Sequence, residues 1–469
     1  MSRYNAGVRP ASRRSSAVPC LALVLFLAAV PPGLAWAQVP AATAPPGLGG
    51  PPLGVRFTLG NGLVVLVAER PALPIVTVRV AVGAGAVLDP PDKGGLANLT
   101  ALLLTRGAGT RPGPEIDRAI EFVGGSLESE GGRDASNLAL SVLRKDLALG
   151  LDLLADVLVR PTFPAAEFER KQDEVRASVR RSEEDPGAVA GRLFRRLLFP
   201  GHPYAAPVAG TEVSLARLTR EDVAAFYAAT YRPETTIVAV VGDVTVAEIR
   251  AELTARLGSW AVPRPGPSAP NAAPLGSPPR TEMVPRDLTQ ATVLLGQATV
   301  TRTHPDHYPL VVASYILGGG SSSRLYTRVR EERGLAYSID GQYAPGRYGG
   351  MFLVEFQSEN SRVREVLALV QAELVRLRRE RVGEDELLRA KAYLIGSFPL
   401  RMDTNGEVAS LLLGTEQWNL GLDYPTRYRR AVEAVAVDDV LRAVRTHWDP
   451  DLMSLAVVAN LREAGLETR

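Results

Sequence analysis

The stretch DVAAFYAATYRPETTIVAVVGD at Asp222–Asp243 aligns without a gap on DVLRAVRTHWDPDLMSLAVVAN at Asp439–Asn460. In both, a helical period is followed by an aromatic residue, a proline and an apolar strand. A second echo lies upstream in each half: strand-like TVLLGQ from Thr292 and the helical Tyr308–Leu317 match Thr77–Val82 and the helical stretch after Gly94. Repeats of roughly 200 residues are too long for a solenoid, whose units run about 20–50. A chain of 469 residues that is 46% apolar therefore holds two copies of one domain. Strands and helices mix without strict alternation, so the class expected is α+β, with two homologous mixed α/β domains in tandem.

Seven prolines between Trp260 and Arg280 mark residues 261–280 as a linker. The expected N-terminal domain is 55–260 and the C-terminal domain 281–469, after a Pro-, Ala- and Gly-rich, disordered lead-in at 38–54. Residues 1–37 have the parts of a secretory signal: Arg13-Arg14, the apolar run from Cys20 to Pro31, and Ala35-Trp36-Ala37 before Gln38. The apolar run is shorter than the roughly 20 residues a spanning helix needs. A mature start at Gln38 and a periplasmic or secreted location are the expectation, with a membrane anchor as the alternative. Cys20 is the only cysteine, so the mature chain would have neither disulfides nor thiolate sites. The net charge of +2 includes four arginines of the signal segment, and −2 remains without them. Nothing in this balance points to nucleic acid as a partner.

Four histidines are present: His202, His304, His307 and His447. His304 and His307 are spaced as ligands on a helix face, but Pro305 and Asp306 between them favour a turn. Leu317–Leu325 is glycine-rich. It lacks the Lys-Ser/Thr ending of a phosphate loop and follows a helical stretch, so a helix cap and turn is the plain reading.

Gly94–Thr110 reads GGLANLTALLLTRGAGT. The frame resembles the zinc helix of the pitrilysin/insulinase (inverzincin) metallopeptidases, in which H-x-x-E-H sits between similar flanks. Laid on that frame, Asn98 and Leu102 replace the two His ligands and Ala101 replaces the general-base Glu. The family's third ligand, a Glu on a later helix, falls on Ser178 within Phe168-Glu169-Arg170 and KQDEVRASVRRSEEDP. The resemblance extends through Gly201-His202-Pro203-Tyr204, Gly210-Thr211, Val241-Gly242-Asp243, Leu317-GGGSSSRLY and Arg330-EERGLAYS.

The resemblance implies two homologous α+β domains, no metal bound by this chain, and an Arg/Tyr pair, Arg330 and Tyr337, that holds substrate backbone and oxyanion. The plainer reading is a surface ion pair for Arg330 and a core position for Tyr337. It also implies a substrate-guiding role for Gly318, Gly319 and Gly320. The function expected is a non-catalytic, substrate-binding subunit of a zinc peptidase heterodimer, with zinc and an intact H-x-x-E-H in the partner and a peptide as substrate. A structural or peptide-holding subunit is the alternative, and a metallopeptidase with unfamiliar ligands a lesser one.

Overall fold

The computed structural model describes residues 52–262, 266–267 and 270–467. The expected signal segment and residues 38–51 of the lead-in lie outside them. The first repeat runs β1 (Val55–Thr58), β2 (Val64–Glu69), β3 (Ile75–Val82), α1 (Leu96–Leu103), the short β4 (Gly107–Ala108) and β5 (Arg111–Pro112), α2 (Gly113–Phe122), β6 (Ser126–Gly131) and β7 (Ser136–Leu143). It continues with α3 (Leu147–Val159), α4 (Ala165–Ser182), α5 (Pro186–Leu198), the one-turn α6 (Glu212–Leu215), α7 (Arg220–Thr230), β8 (Thr236–Gly242) and α8 (Val246–Leu257). The second runs β9 (Thr281–Pro285), β10 (Gln290–Thr299), α9 (His307–Gly318), β11 (Ala336–Ala344), β12 (Gly350–Glu359), α10 (Val363–Arg379), α11 (Glu384–Gly396), α12 (Asn405–Gln417), α13 (Tyr424–Ala434), α14 (Val437–His447) and β13 (Ser454–Ala459). Among the described residues, no helix is long and apolar enough to cross a membrane.

The duplication is visible in strand order. The first sheet is β1-β2-β8-β3-β7-β6 and the second is β11-β12-β10-β13-β9. Read from opposite ends, β2-β8-β3-β7-β6 corresponds to β9-β13-β10-β12-β11. The single parallel pairing falls at the same place in each, β2 with β8 and β9 with β13. Asn61-Gly62 lies in the turn that joins β1 to β2 as an antiparallel hairpin, with Gly62 at φ +92°. Asp185-Pro186 ends α4 and also starts α5, because Asp185 accepts the Ala188 N–H and Pro186 fills the first helical position.

Central strands such as Thr236-IVAVVG are apolar on both faces and need two covers. One face of each sheet packs on helices of its own repeat, forming the two large cores. The opposite face is covered by the other repeat. Val408, Ala409, Leu412 and Leu413 of α12 pack on Leu66, Ala68, Ala81, Ala239 and Val241 of the first sheet. Val189, Ala190, Phe194, Leu197 and Leu198 of α5 pack on Leu294, Ala298, Leu353, Ala456 and Val458 of the second. Part of the linker is docked as well: the Ala273 N–H donates to Tyr348 O at 2.5 Å, and Asn271 O accepts from His202 Nε2 at 3.0 Å.

Candidate functional site

Helix α1 begins at Gly95, whose φ of +94° and close approach to Ala209 O, 2.7 Å from an added Cβ, call for glycine. The Asp89 carboxylate caps it, accepting from the Gly95 and Ala97 N–H groups at 2.8 Å each. Burial pushes the Asp89 carboxyl up to about 7, against the pull of the Ala97, Gly95 and Leu96 N–H groups.

Leu96, Ala97, Leu99, Thr100, Ala101 and Leu103 face the core. Asn98 and Leu102, four positions apart, share a half-buried side, and Ala101 is 0% exposed. The end of β6 closes over Asn98: a Cβ added to Gly131 would lie 2.3 Å from Asn98 Cα. Helix α4 packs beside α1 and carries Ser178 on an exposed position. The donors here are one amide oxygen and one hydroxyl, with alkyl groups at the other two positions. That set does not fit zinc, which takes imidazole, thiolate or carboxylate.

Arg330 and Tyr337 sit at the open edge of the second sheet. Tyr326–Glu331 form one wide turn, in which the Glu332 N–H reaches back to Thr327 O at 2.9 Å. Gly334, at φ +60°, then leads into β11. The register of β11 on β12 skips a residue between Ala336 and Ser338, so Tyr337 is the extra residue of a β-bulge and points outward, 74% exposed. The core position considered for Tyr337 is therefore wrong.

The ion pair considered for Arg330 is also absent among the described residues. Its neighbours are paired: Arg324 to Glu386 at 2.7 and 2.8 Å, Arg328 to the buried Glu373 at 3.3 Å, and Arg333 to Glu365 at 3.5 Å. The Arg330 guanidinium lies instead over two rings, 5.0 Å from the Tyr326 centroid and 5.4 Å from that of Tyr337. Tyr326 was not singled out from sequence, though its position four residues before Arg330 in a helical turn was a usable signal.

Gly318 and Gly319 are required by packing. An added Cβ would lie 2.2 Å from Gly341 N of β11 in the first case and 2.6 Å from Tyr315 Cα in the second. Gly320 is looser, with Tyr315 Oη at 3.4 Å from its added Cβ. The loop thus brings the end of α9 against the strand that carries Tyr337. Beside it Tyr315 of α9 stacks on Tyr393 of α11, with ring centroids 4.5 Å apart.

His304 and His307 do not converge. His307 is buried at the start of α9, where burial, reinforced by Arg302, lowers it to about 3. His304 meets His447, with ring centroids 4.8 Å apart. These two and Asp306 are the only group of three His, Cys, Asp or Glu close enough to share a metal among the described residues. Asp306 is already engaged, accepting from Arg442 at 2.6 Å and from His447 Nε2 at 2.8 Å, while His304 Nδ1 accepts the Asp306 N–H at 3.1 Å. This is a satisfied polar junction between α14 and the loop before α9. His202 fixes the linker, as described above, and its Nδ1 accepts the Tyr204 N–H at 3.1 Å.

Comparison with known proteins agrees with this architecture. Residues 64–212 match the family described as Insulinase (Peptidase family M16), and residues 217–394 match the one described as Peptidase M16 inactive domain. An uncharacterised zinc protease of Mycobacterium tuberculosis (strain ATCC 25618 / H37Rv) is 31% identical over 395 residues, covering 84% of this chain and 90% of its own. One from Mycobacterium leprae is 31% identical over 369 residues, covering 78% and 82%. The crystal structure of a peptidase M16 inactive domain from Pseudomonas fluorescens superposes with a TM-score of 0.82 at 25% identity, covering 87% of this chain and 97% of that one. The chain belongs to the insulinase family, peptidase family M16. It is a two-domain member that lacks the H-x-x-E-H motif.

Proposed function

We propose that this chain is a non-catalytic, substrate-binding subunit of an exported insulinase-type zinc peptidase, and that Arg330 and Tyr337 complete the site of a partner chain with an intact H-x-x-E-H. The observation that supports this reading is the setting of Arg330. The other arginines around the turn are neutralised by carboxylates, whereas Arg330, without an ion pair among the described residues, lies by two tyrosine rings at an exposed edge. A guanidinium whose fork is not engaged by a carboxylate keeps its donors available for the oxygens of a substrate.

Zinc, held by the partner, would supply carbonyl polarisation and an activated water. This chain supplies the Arg330 fork and the Tyr337 hydroxyl as donors to the peptide backbone and to the oxygen that gains negative charge. The substrate is a peptide or unfolded polypeptide, and the signal-like segment ending at Ala37 supports the export included in this proposal.

The deciding experiment is turnover per zinc-loaded heterodimer. Arg330→Ala and Tyr337→Phe are each expected to lower it about 10²–10³-fold, with the partner still bound and its zinc in place. Unchanged turnover in both variants overturns the reading in favour of a structural subunit.

A further inference from the structure

An exposed guanidinium on a long side chain samples many orientations, so an arginine that serves a substrate in another subunit's site needs something to hold it. Arg330 has no ion pair or side-chain hydrogen bond among the described residues, and its restraint is the two rings on either side. Tyr337 is itself exposed and belongs to a bulge, so it offers little anchorage. Tyr326 is half-buried, and the turn that carries it is pinned on both flanks. Leu325 and Val329 are fully buried, Arg324 is clamped by Glu386 of α11, and Arg328 is drawn to Glu373 of α10. Tyr326 and Arg330 are four residues apart in this turn, which brings the ring beneath the guanidinium.

We propose that Tyr326 is a positioning residue: its anchored ring holds the Arg330 guanidinium in the orientation from which it meets substrate alongside Tyr337. This rests on the role given above to Arg330. The chemistry is specific to an aromatic face, since the ring quadrupole attracts the cation and an aliphatic side chain of similar size does not.

In the zinc-loaded heterodimer, Tyr326→Leu is expected to lower turnover about 2- to 30-fold, the span of an ordinary cation–π contact. Tyr326→Phe should restore most of it. In an Arg330→Ala background, Tyr326→Leu should have no further effect, because Tyr326 acts through Arg330. A second measurement needs neither partner nor activity. In the isolated full chain, the Arg330 Nε–H resonance should carry a ring-current shift that changes in Tyr326→Leu, where only the Tyr337 contribution is left, and is kept in Tyr326→Phe. Equal loss from Leu and Phe, additive losses in the cycle, or an unshifted resonance each overturn the proposal. Unchanged turnover in Arg330→Ala defeats the role given to Arg330 instead, and the resonance then decides the Tyr326 contact by itself.

Discussion

Arg56 of β1 and Glu416 near the end of α12 form a two-pronged ion pair, Nε to Oε2 at 2.9 Å and Nη2 to Oε1 at 2.8 Å, although 360 positions separate them. A partly exposed pair of this kind adds little by itself. It marks the rim of a larger exchange, in which α12 seals the first sheet and α5, its counterpart in the first repeat, seals the second. Cleavage at a protease site placed between Val262 and Gly266 is therefore expected to leave two fragments that co-elute and unfold together. Separation of the fragments without denaturant would contradict the exchange, because each would then have to expose an apolar sheet face to water.

The same exchange sets the cost of deleting its anchors. Phe194 of α5 is 1% exposed and Leu412 of α12 is 0% exposed. Phe194→Ala is expected to destabilise by about 3–5 kcal/mol and Leu412→Ala by about 2–5 kcal/mol. Urea unfolding followed by two probes should show one shared transition in each variant. Two separate transitions would mean that the repeats fold independently.

Rebuilding the metal site tests the placement of the degenerate positions. Asn98→His, Leu102→His and Ser178→Glu together put two imidazoles on one side of α1 and a carboxylate on the neighbouring α4. Zinc retained after equilibrium dialysis is expected to rise from background toward one per chain. Adding Ala101→Glu buries a carboxylate at a fully enclosed position, and without zinc should cost more than the roughly 1–3 kcal/mol of a neutral unsatisfied group. A folded triple variant that retains no zinc would show that Ser178 is not the third ligand position.

Two carboxylates give pH dependence of opposite sign. The Asp89 carboxyl is raised by burial to about 7, so the folded state binds its proton more tightly than the unfolded chain does. Its contribution is fully present below the ordinary carboxylate range and declines as pH rises toward 7. For Asp306, burial works upward, but the bonds from Arg442 and His447 outweigh it and hold the carboxyl below its ordinary 3.8. That contribution is present above about pH 4 and is lost as pH falls below it. Unfolding free energies compared with Asp89→Asn from pH 4 to 8, and with Asp306→Asn from pH 5 to 2, should show these opposed slopes. A flat difference in either series removes that group from the account.

Much of the fold was legible in the chain. The ungapped match of Asp222–Asp243 to Asp439–Asn460 pointed to two copies of a helix-then-strand unit, since similar patterns of apolar and turn residues favour the same local solution. That the residues at 98, 101, 102 and 178 cannot hold zinc is a matter of side-chain chemistry and needs no coordinates. The seven-residue spacing of Arg330 and Tyr337 was equally visible. Tertiary structure decided the rest. The run Thr236-IVAVVG states that both faces of a strand are buried, yet periodicity cannot say which helix covers the second face, and here the cover comes from the other repeat. His304 meets His447 rather than its sequence neighbour His307, because α14 lies beside the turn before α9. Whether Arg330 is paired or free depends on where Glu365, Glu373 and Glu386 fall once α10 and α11 have packed, and whether Tyr337 faces the core or the solvent depends on one extra residue in the register of β11. Spacing along a chain records which groups are present, but only packing determines which of them satisfy one another and which remain available.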